Sequence, residues 1–258
     1  MKADWLRYSY NKGGYYECYF VFSYYSCRRC RRPYQQYQYS KQYIEICGRP
    51  IISYVIDTVI ADPVISTVVI VCADEYKQLV SDCCAESIRD SGRHGVEIKY
   101  ASPGFNRQMS VFSGLKKLEN SIGEGELVAI IDAARPCMTR QMLDACIEAA
   151  DTADGAIPVL KMRDTVYMSE DGRHITDLLE RSKVLAGQAP EVFRFGKYLA
   201  ANNKLSEAQM DHIHGSSEPA IMDGMKIVMI PGDENNYKIT TDADLVRFRN
   251  DCEWKQEM

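Results

Sequence analysis

A regular alternation of helical and strand patterns begins near residue 50. From Ile51 the apolar residues recur at helical spacing, and the β-branched run at 67–71 that follows is typical of a buried strand. The pattern continues with helices predicted over 74–91, 107–118 and 139–150 and strands predicted over 96–100, 127–131 and 156–160. Such alternation predicts a parallel sheet with helices on both faces, where ligands bind at the carboxyl ends of the strands.

The composition changes near residue 40. Ten of the 17 tyrosines lie before that position, and residues 27–39 form a low-complexity run without helical or strand periodicity. We therefore separate an anomalous segment, residues 1–39, from residues 40–258. A chain of this length commonly forms one unit, so residues 40–258 are predicted to be a single domain.

The overall composition is that of an ordinary soluble globular protein, with 46% hydrophobic and 26% charged residues. The net charge of -5 gives no electrostatic reason to expect a nucleic acid partner. No apolar run approaches the roughly 20 residues of a membrane-spanning helix, and the first residues lack the apolar stretch of a signal peptide. We therefore expect a cytoplasmic protein that does not associate with membranes.

The ten cysteines are predicted to be reduced, because five of them lie scattered through apolar segments of a long chain. Cys27 and Cys30 have the spacing of one half of a zinc ribbon, but a structural zinc site needs a second pair of ligands. His212 and His214 have no third ligand nearby in the sequence. These patterns do not favour a zinc site.

Polar residues with candidate chemistry follow the strand predicted over 127–131. Asp132 and Arg135 come just past this strand, so a carboxylate and a guanidinium emerge together. The carboxylate can bind a ribose hydroxyl or a metal ion, and the guanidinium can pair with phosphate. A salt bridge within the loop is the alternative interpretation. The segment 104–110 leads from a strand into a helix and offers free backbone amides to an anion or a base edge.

Two lysines and one polar stretch lie at other boundaries between elements. Lys41 precedes a turn that enters a helix, where it could neutralise a phosphate; a solvated surface lysine is the alternative. Lys238 lies beside the entry to the last helix, for which Thr241 is the expected N-cap. Arg163 begins a polar stretch that we expect to form a hairpin or arm over about 160–185.

Five ordered motifs resemble those of the cytidylyltransferases that make CDP-methylerythritol or CDP-ribitol. The motifs are Ser-Lys-Gln at 40–42, Arg-Gln-Met-Ser-Val at 107–111, Ile-Asp-Ala-Ala-Arg-Pro at 131–136, Arg-Asp-Thr at 163–165 and Asn-Tyr-Lys-Ile-Thr at 236–240. The resemblance implies an α/β fold with a Rossmann-like nucleotidyltransferase sheet, mostly parallel with helices on both faces, plus a protruding β arm. It also implies a homodimer that transfers CMP from CTP to a sugar-alcohol phosphate and releases pyrophosphate.

The resemblance further implies roles for individual residues. The residues expected to bind CTP are Gly104, Asn106, Arg107, Ser110, Asp132 and Ala133. Those expected to bind the phosphate of the acceptor are Arg135, Arg163, Thr165 and Lys238, with Arg163 and Thr165 reaching across the dimer from the arm. The expected catalytic residues are Lys41, Arg163 and Lys238, and Asp132 is the expected ligand of Mg²⁺. Positioning and charge neutralisation would provide the catalysis.

The sequence departs from the family pattern mainly in the acceptor pocket. Ile131 stands where a histidine is usual, and Gln-Ala-Pro-Glu at 188–191 replaces Gln-Thr-Pro-Gln. These changes affect the acceptor more than CTP. They leave the acceptor open between 2-C-methyl-D-erythritol 4-phosphate and ribitol 5-phosphate.

The glycine-rich phosphate loop that the resemblance implies, Ala-Gly-Gly-x-Gly-x-Arg, is not written in the sequence. Codons for residues 27–34 can be chosen so that a shift by one base encodes Ala-Gly-Gly-Val-Gly-Gly-Arg. We therefore hypothesise that residues 1–39 are an out-of-frame translation. Two alternatives to a CTP-dependent enzyme remain. One is a non-catalytic nucleotide-binding or scaffold protein, and the other transfers from a different nucleotide, such as GTP, to a sugar phosphate.

Overall fold

The computed structural model describes residues 18–23 and 41–257. The pair Cys27 and Cys30 and the stretch 27–34, considered above for a shifted reading frame, lie outside the described residues. The strands are β1 Cys18–Ser23, β2 Glu45–Ile46, β3 Arg49–Pro50, β4 Ile65–Val71, β5 Glu97–Ala101, β6 Leu127–Asp132, β7 Gly155–Lys161, β8 Val166–Met168, β9 Asp177–Leu179, β10 Leu185–Gly187, β11 Glu191–Arg194 and β12 Ile227–Pro231. The helices are α1 Ile51–Ile60, α2 Lys77–Ser91, α3 Arg107–Leu118, α4 Arg140–Asp151, α5 Phe195–Asn203, α6 Glu207–Met210, α7 Glu218–Met222 and α8 Asp242–Glu257.

The main sheet of the described chain has a parallel half and a mixed half. In the order β6, β1, β4 and β5, neighbouring strands are parallel. Beyond β6, β11 is antiparallel to both β6 and β7, β10 is antiparallel to β7, and β12 is parallel to β7. The predicted α/β sheet is confirmed, although it is more mixed than predicted, because the chain that leaves β7 returns beside it in the opposite direction.

Alternate residues of the central strands face opposite layers of the protein. In β4, Val68 and Ile70 pack into one apolar cluster, whereas Val69 and Val71 pack into the other. This is the two-residue period of a strand. Helices α1, α2 and α4 contribute to the first cluster, and α3 and α5 contribute to the second. Both faces of the sheet are therefore covered, which explains why the strand sequences are continuous apolar runs.

Local sequence signals located several element boundaries correctly. Helix α3 has the predicted bounds, and β6 ends at Asp132, one residue beyond the prediction. Asn106 and Thr139 cap α3 and α4, because their side-chain oxygens accept hydrogen bonds from backbone amides three residues further on. Thr241 caps α8 as predicted, accepting through Oγ1 from the amide of Asp244 at 3.3 Å.

The stretch predicted to form an arm contains a two-stranded antiparallel hairpin, in which β8 pairs with β9. Apolar side chains of this hairpin are exposed, namely Tyr167, Met168, Ile175 and Leu178. Within the described ranges, no helix combines the length and the apolar character needed to cross a membrane. The seven cysteines described within residues 41–257 are free thiols.

Candidate active site

A buried carboxylate lies at the end of the central strand β6. Asp132 is the last residue of this strand and is 7% exposed. Strand β1 runs parallel beside it, with Ser23 opposite Asp132 in the register. This is the carboxyl end of the parallel strands, the edge at which open α/β sheets bind their ligands.

Three cationic side chains converge on Asp132. Its Oδ1 accepts a hydrogen bond from Nη2 of Arg107 at 3.1 Å, and its Oδ2 lies 3.0 Å from Nζ of Lys238 and 3.4 Å from Nε of Arg135. Burial by itself would raise the pKa of Asp132, but these three cations lower it well below its ordinary value. The carboxylate is therefore ionised at neutral pH and joins residues from three separate parts of the chain.

Arg107 is also held by two residues that were not among the predicted site residues. Its Nη1 donates to Oγ of Ser216 at 2.6 Å, and its Nη2 lies 3.9 Å from Oε1 of Glu191. Burial opposes the charge of Arg107, but Asp132 and Glu191 raise its pKa above the ordinary value. Burial raises the pKa of Glu191, and the charge of Arg107 opposes that rise. Arg107 is thus shared between two buried carboxylates.

Lys41 is electrostatically linked to the same cluster. It lies in the short 3-10 helix that precedes β2. Burial and the charge of Lys238 lower the pKa of Lys41 from 10.5 to about 8, while Asp132 and Asp244 oppose the shift. The ammonium group of Lys41 therefore loses its proton more readily than an exposed lysine, and an anionic ligand nearby would raise its pKa again.

The loop before α8 is fastened to the segment that joins β10 to β11. Gln188 donates through Nε2 to the backbone carbonyls of Asp233 and Asn236 at 2.9 and 3.1 Å, and its Oε1 accepts from the amide of Asp233 at 3.0 Å. Arg135 donates through Nη1 to the carbonyl of Asn236 at 2.6 Å. These bonds fix the backbone just before Lys238 and so place its side chain at Asp132.

The clustered side chains line a cleft of about 160 Å³. Four predicted site residues line it, namely Arg107, Asp132, Arg135 and Lys238. Gln188, Glu191 and His214 also line it. The departure from the family pattern at 188–191 was the sequence signal for Gln188 and Glu191. No sequence pattern pointed to Ser216, and His214 was considered only as a metal ligand.

The segment before α3 is closely packed. A Cβ atom at Gly104 would lie 2.3 Å from Cβ of Met109, so only glycine fits without a shift. The amide of Gly104 donates to Oγ of Ser110 at 3.0 Å, and this buried hydroxyl donates to the carbonyl of Asn106 at 3.0 Å. Asn106 donates through Nδ2 to Asp211 at 2.7 Å. The hydroxyl of Ser110 is therefore engaged within the protein, where it shapes the segment.

The two predicted arm residues lie away from the cleft. Arg163 and Thr165 are exposed and are not among the residues that line it. Arg163 forms an ion pair with Glu234. Ala133, in contrast, follows Asp132 directly and is buried. Within one described chain, the cleft is therefore formed without the arm residues.

Most of the chain matches a known enzyme family. A family model described as IspD, 2-C-methyl-D-erythritol 4-phosphate cytidylyltransferase, matches residues 32–249. The chain belongs to this family. The enzyme of that name from Clostridium beijerinckii is 29% identical over 208 residues, which are 80% of this chain and 87% of the relative. That from Geobacter metallireducens is 30% identical over 212 residues, again 80% of this chain and 87% of the relative.

Solved structures of 4-diphosphocytidyl-2C-methyl-D-erythritol synthases share the fold. The 4-diphosphocytidyl-2C-methyl-D-erythritol synthase from Anaerococcus prevotii superposes with a TM-score of 0.74 at 21% identity, over 92% of this chain and 96% of that chain. A second crystal structure of a synthase of the same name gives a TM-score of 0.72 at 21% identity, over 91% and 98%. The predicted resemblance to the cytidylyltransferases and the predicted fold are both confirmed.

Proposed function

We propose that this chain transfers CMP from CTP to 2-C-methyl-D-erythritol 4-phosphate and releases pyrophosphate. The convergence of Arg107, Arg135 and Lys238 on Asp132 carries this proposal, because it places positive charge at the carboxyl ends of the parallel strands. The relatives described above are named for methylerythritol phosphate. Ribitol 5-phosphate, the alternative acceptor, is therefore not favoured.

In this reaction an oxygen of the acceptor phosphate attacks the α-phosphorus of CTP. A new phosphorus–oxygen bond forms, and the bond from the α-phosphorus to the bridging oxygen of the pyrophosphate breaks. The bond breaking leaves negative charge on the pyrophosphate, so the chain must neutralise charge and hold the reactants in line. We assign Lys41 and Lys238 to the phosphates of CTP, with Lys238 and Arg135 also facing the phosphate of the acceptor.

Asp132 is the residue we assign to Mg²⁺. Among the described residues there is no cluster of three or more acidic, histidine or cysteine side chains that could hold a metal ion alone. An ionised carboxylate beside a phosphate site fits Mg²⁺, which is commonly bound by one or two carboxylates together with substrate phosphates. When bound, the ion would neutralise part of the triphosphate charge.

The segment at the start of α3 is the proposed site for the base and ribose of CTP. Gly104 and Asn106 are only partly buried, and the backbone there is held by Ser110. The amide of Met109 donates to Oδ1 of Asn106, and the other backbone amides at the N-terminus of α3 can donate to a base edge or an anion. Ala133, directly after Asp132, completes the proposed pocket.

We propose a homodimer in which the arm of one copy completes the site of the other. The exposure of Arg163 and Thr165, away from the cleft of their own chain, supports this assignment, as does the exposed apolar surface of the hairpin. Size-exclusion chromatography with light scattering would measure the oligomeric state. Mixing an inactive Lys238→Ala chain with an inactive Arg163→Ala chain should restore activity if the arm acts across the dimer.

We also propose that residues 1–39 come from an out-of-frame translation that hides the phosphate loop. The family match begins only at residue 32, and β1 occupies the central position of the sheet from which such a loop would leave. Sequencing the gene tests this. Codons at 27–34 that cannot encode Ala-Gly-Gly-x-Gly-x-Arg after a one-base shift would refute it.

Pyrophosphate release tests the proposed activity. Purified protein should release pyrophosphate with CTP and 2-C-methyl-D-erythritol 4-phosphate, and much less with ribitol 5-phosphate or with GTP, ATP or UTP. The written chain and a frame-corrected chain should be assayed side by side. Binding of CTP without turnover by both chains would instead support a non-catalytic nucleotide-binding protein. Cell fractionation would test the proposed cytoplasmic location.

A further inference from the structure

Arg107 lies between two buried carboxylates. Its Nη2 is 3.1 Å from Oδ1 of Asp132 and 3.9 Å from Oε1 of Glu191, and the side chains of these acids are 9% and 10% exposed. Ser216 holds the other terminal nitrogen, Nη1, at 2.6 Å. A guanidinium presents several N–H donors in one plane. A small rotation of the Arg107 guanidinium, with its bond to Ser216 kept, can therefore move Nη2 from the carboxylate of Asp132 to that of Glu191.

Both carboxylate oxygens of Asp132 are engaged by cationic side chains. Oδ1 contacts Arg107, and Oδ2 contacts Lys238 and Arg135. A divalent cation takes a carboxylate oxygen directly as a ligand and repels positive groups close to it. Arg107 has a second carboxylate within 3.9 Å, so it can leave Asp132 without losing its counter-ion.

Glu191 is held in the position that this exchange requires. It begins β11, where its backbone is opposite Ile130 of β6 in the sheet. Burial raises the pKa of Glu191, and side-chain interactions with Ser216 and Ser217 oppose this rise. Ser216, which accepts from Arg107, therefore also acts on Glu191.

We propose that Glu191 is a positioning residue that accepts Arg107 from Asp132 when a divalent cation binds, and that it thereby sets the affinity of the cleft for the metal and nucleotide together. The inference rests on the proposed function, which supplies the cation and CTP. Glu191 acts through Arg107 and does not itself contact the metal. Without its charge, a guanidinium displaced from Asp132 would be buried without a counter-ion, which is strongly unfavourable.

The variant Glu191→Gln tests this, because it keeps the size of the side chain and an acceptor oxygen but removes the charge. CTP binding to the full chain would be measured by calorimetry without metal and across a titration with Mn²⁺. We expect the Mn²⁺ concentration for half-maximal enhancement of binding to rise about tenfold, as for other residues that support metal ligands. The metal-free affinity for CTP should stay equal or increase, because a negative charge is removed from an anion site.

Asp223→Asn provides the matched control, since it removes one negative charge where Asp223 pairs with Lys204 outside the cleft. This control should behave as the parent chain. A Mn²⁺ requirement of Glu191→Gln within about twofold of the parent would overturn the proposal. A parallel loss of metal-free and metal-dependent binding would also overturn it, because that pattern indicates general damage to the cleft.

A measurement that needs no nucleotide separates this inference from the proposed function. If the parent chain does not bind CTP, the proposed function fails, and thermal unfolding of Asp132→Asn, Glu191→Gln and the double variant decides the role of Glu191. The decrease in Tm of the double variant should exceed the sum of the single decreases, because Arg107 then has neither carboxylate. Additive decreases would show that the two acids do not share Arg107.

Discussion

The variant Lys41→Met should make the free protein more stable while it weakens nucleotide binding. Burial and the charge of Lys238 lower the pKa of Lys41 from 10.5 to about 8, so the folded protein holds this charge at a cost in free energy. With about 1.36 kcal/mol for each pKa unit, the cost at pH 7 is up to about 3 kcal/mol. Methionine keeps most of the apolar stem of the lysine and removes the charge, so the free energy of unfolding should rise by up to this amount.

The pH dependence of this difference follows from the direction of the shift. Between about pH 8 and pH 10.5 the unfolded chain binds more protons at Lys41 than the folded chain. The free energy of unfolding of the parent therefore rises with pH across this window, relative to that of Lys41→Met. The extra free energy of unfolding of Lys41→Met over the parent should be fully present below pH 8 and should disappear above pH 10.5.

Urea unfolding of both chains at about pH 7 and about pH 10 measures the difference. Lys117→Met, which changes an exposed lysine of α3, is the matched control. CTP affinity of Lys41→Met should decrease about tenfold or more, because a phosphate-binding charge is lost. A Lys41→Met chain that is less stable than the parent at pH 7, or a stability difference that does not change with pH, would refute the reasoning.

Three further variants probe the structure around the cleft. Gly104→Ala should destabilise the protein by about 1–3 kcal/mol and weaken CTP binding, because its Cβ would meet Met109 at 2.3 Å; unchanged calorimetric affinity would contradict this. Tyr198→Phe should lower the free energy of unfolding in urea by about 1–3 kcal/mol, because the buried hydroxyl donates to the carbonyl of Ser216 at 2.7 Å. An unchanged free energy of unfolding would show that this carbonyl finds another donor. Thr139→Ala should cost about 1 kcal/mol through loss of the cap of α4, with pyrophosphate release unchanged; a large loss of activity would argue against a purely structural cap.

The sequence by itself determined the elements and their order. Apolar periodicity is a local property, so it located α3 and β6 within one residue, and Thr241 was recognised as the N-cap of the last helix. The ordered motifs identified the family. The motifs also named Arg107 and Asp132, which the structure brings into direct contact.

Only the tertiary structure decided which side chains lie together at the cleft and which of them are charged. Glu191 enters it on an antiparallel strand that the predicted parallel alternation did not include, and Ser216 comes from a loop without a motif. The lowered pKa of Lys41 depends on burial and on Lys238, which is distant in sequence. Partners and pKa values depend on distances between remote parts of the chain and on exclusion of water. Periodicity and spacing describe neighbours along the chain, so they cannot specify those distances.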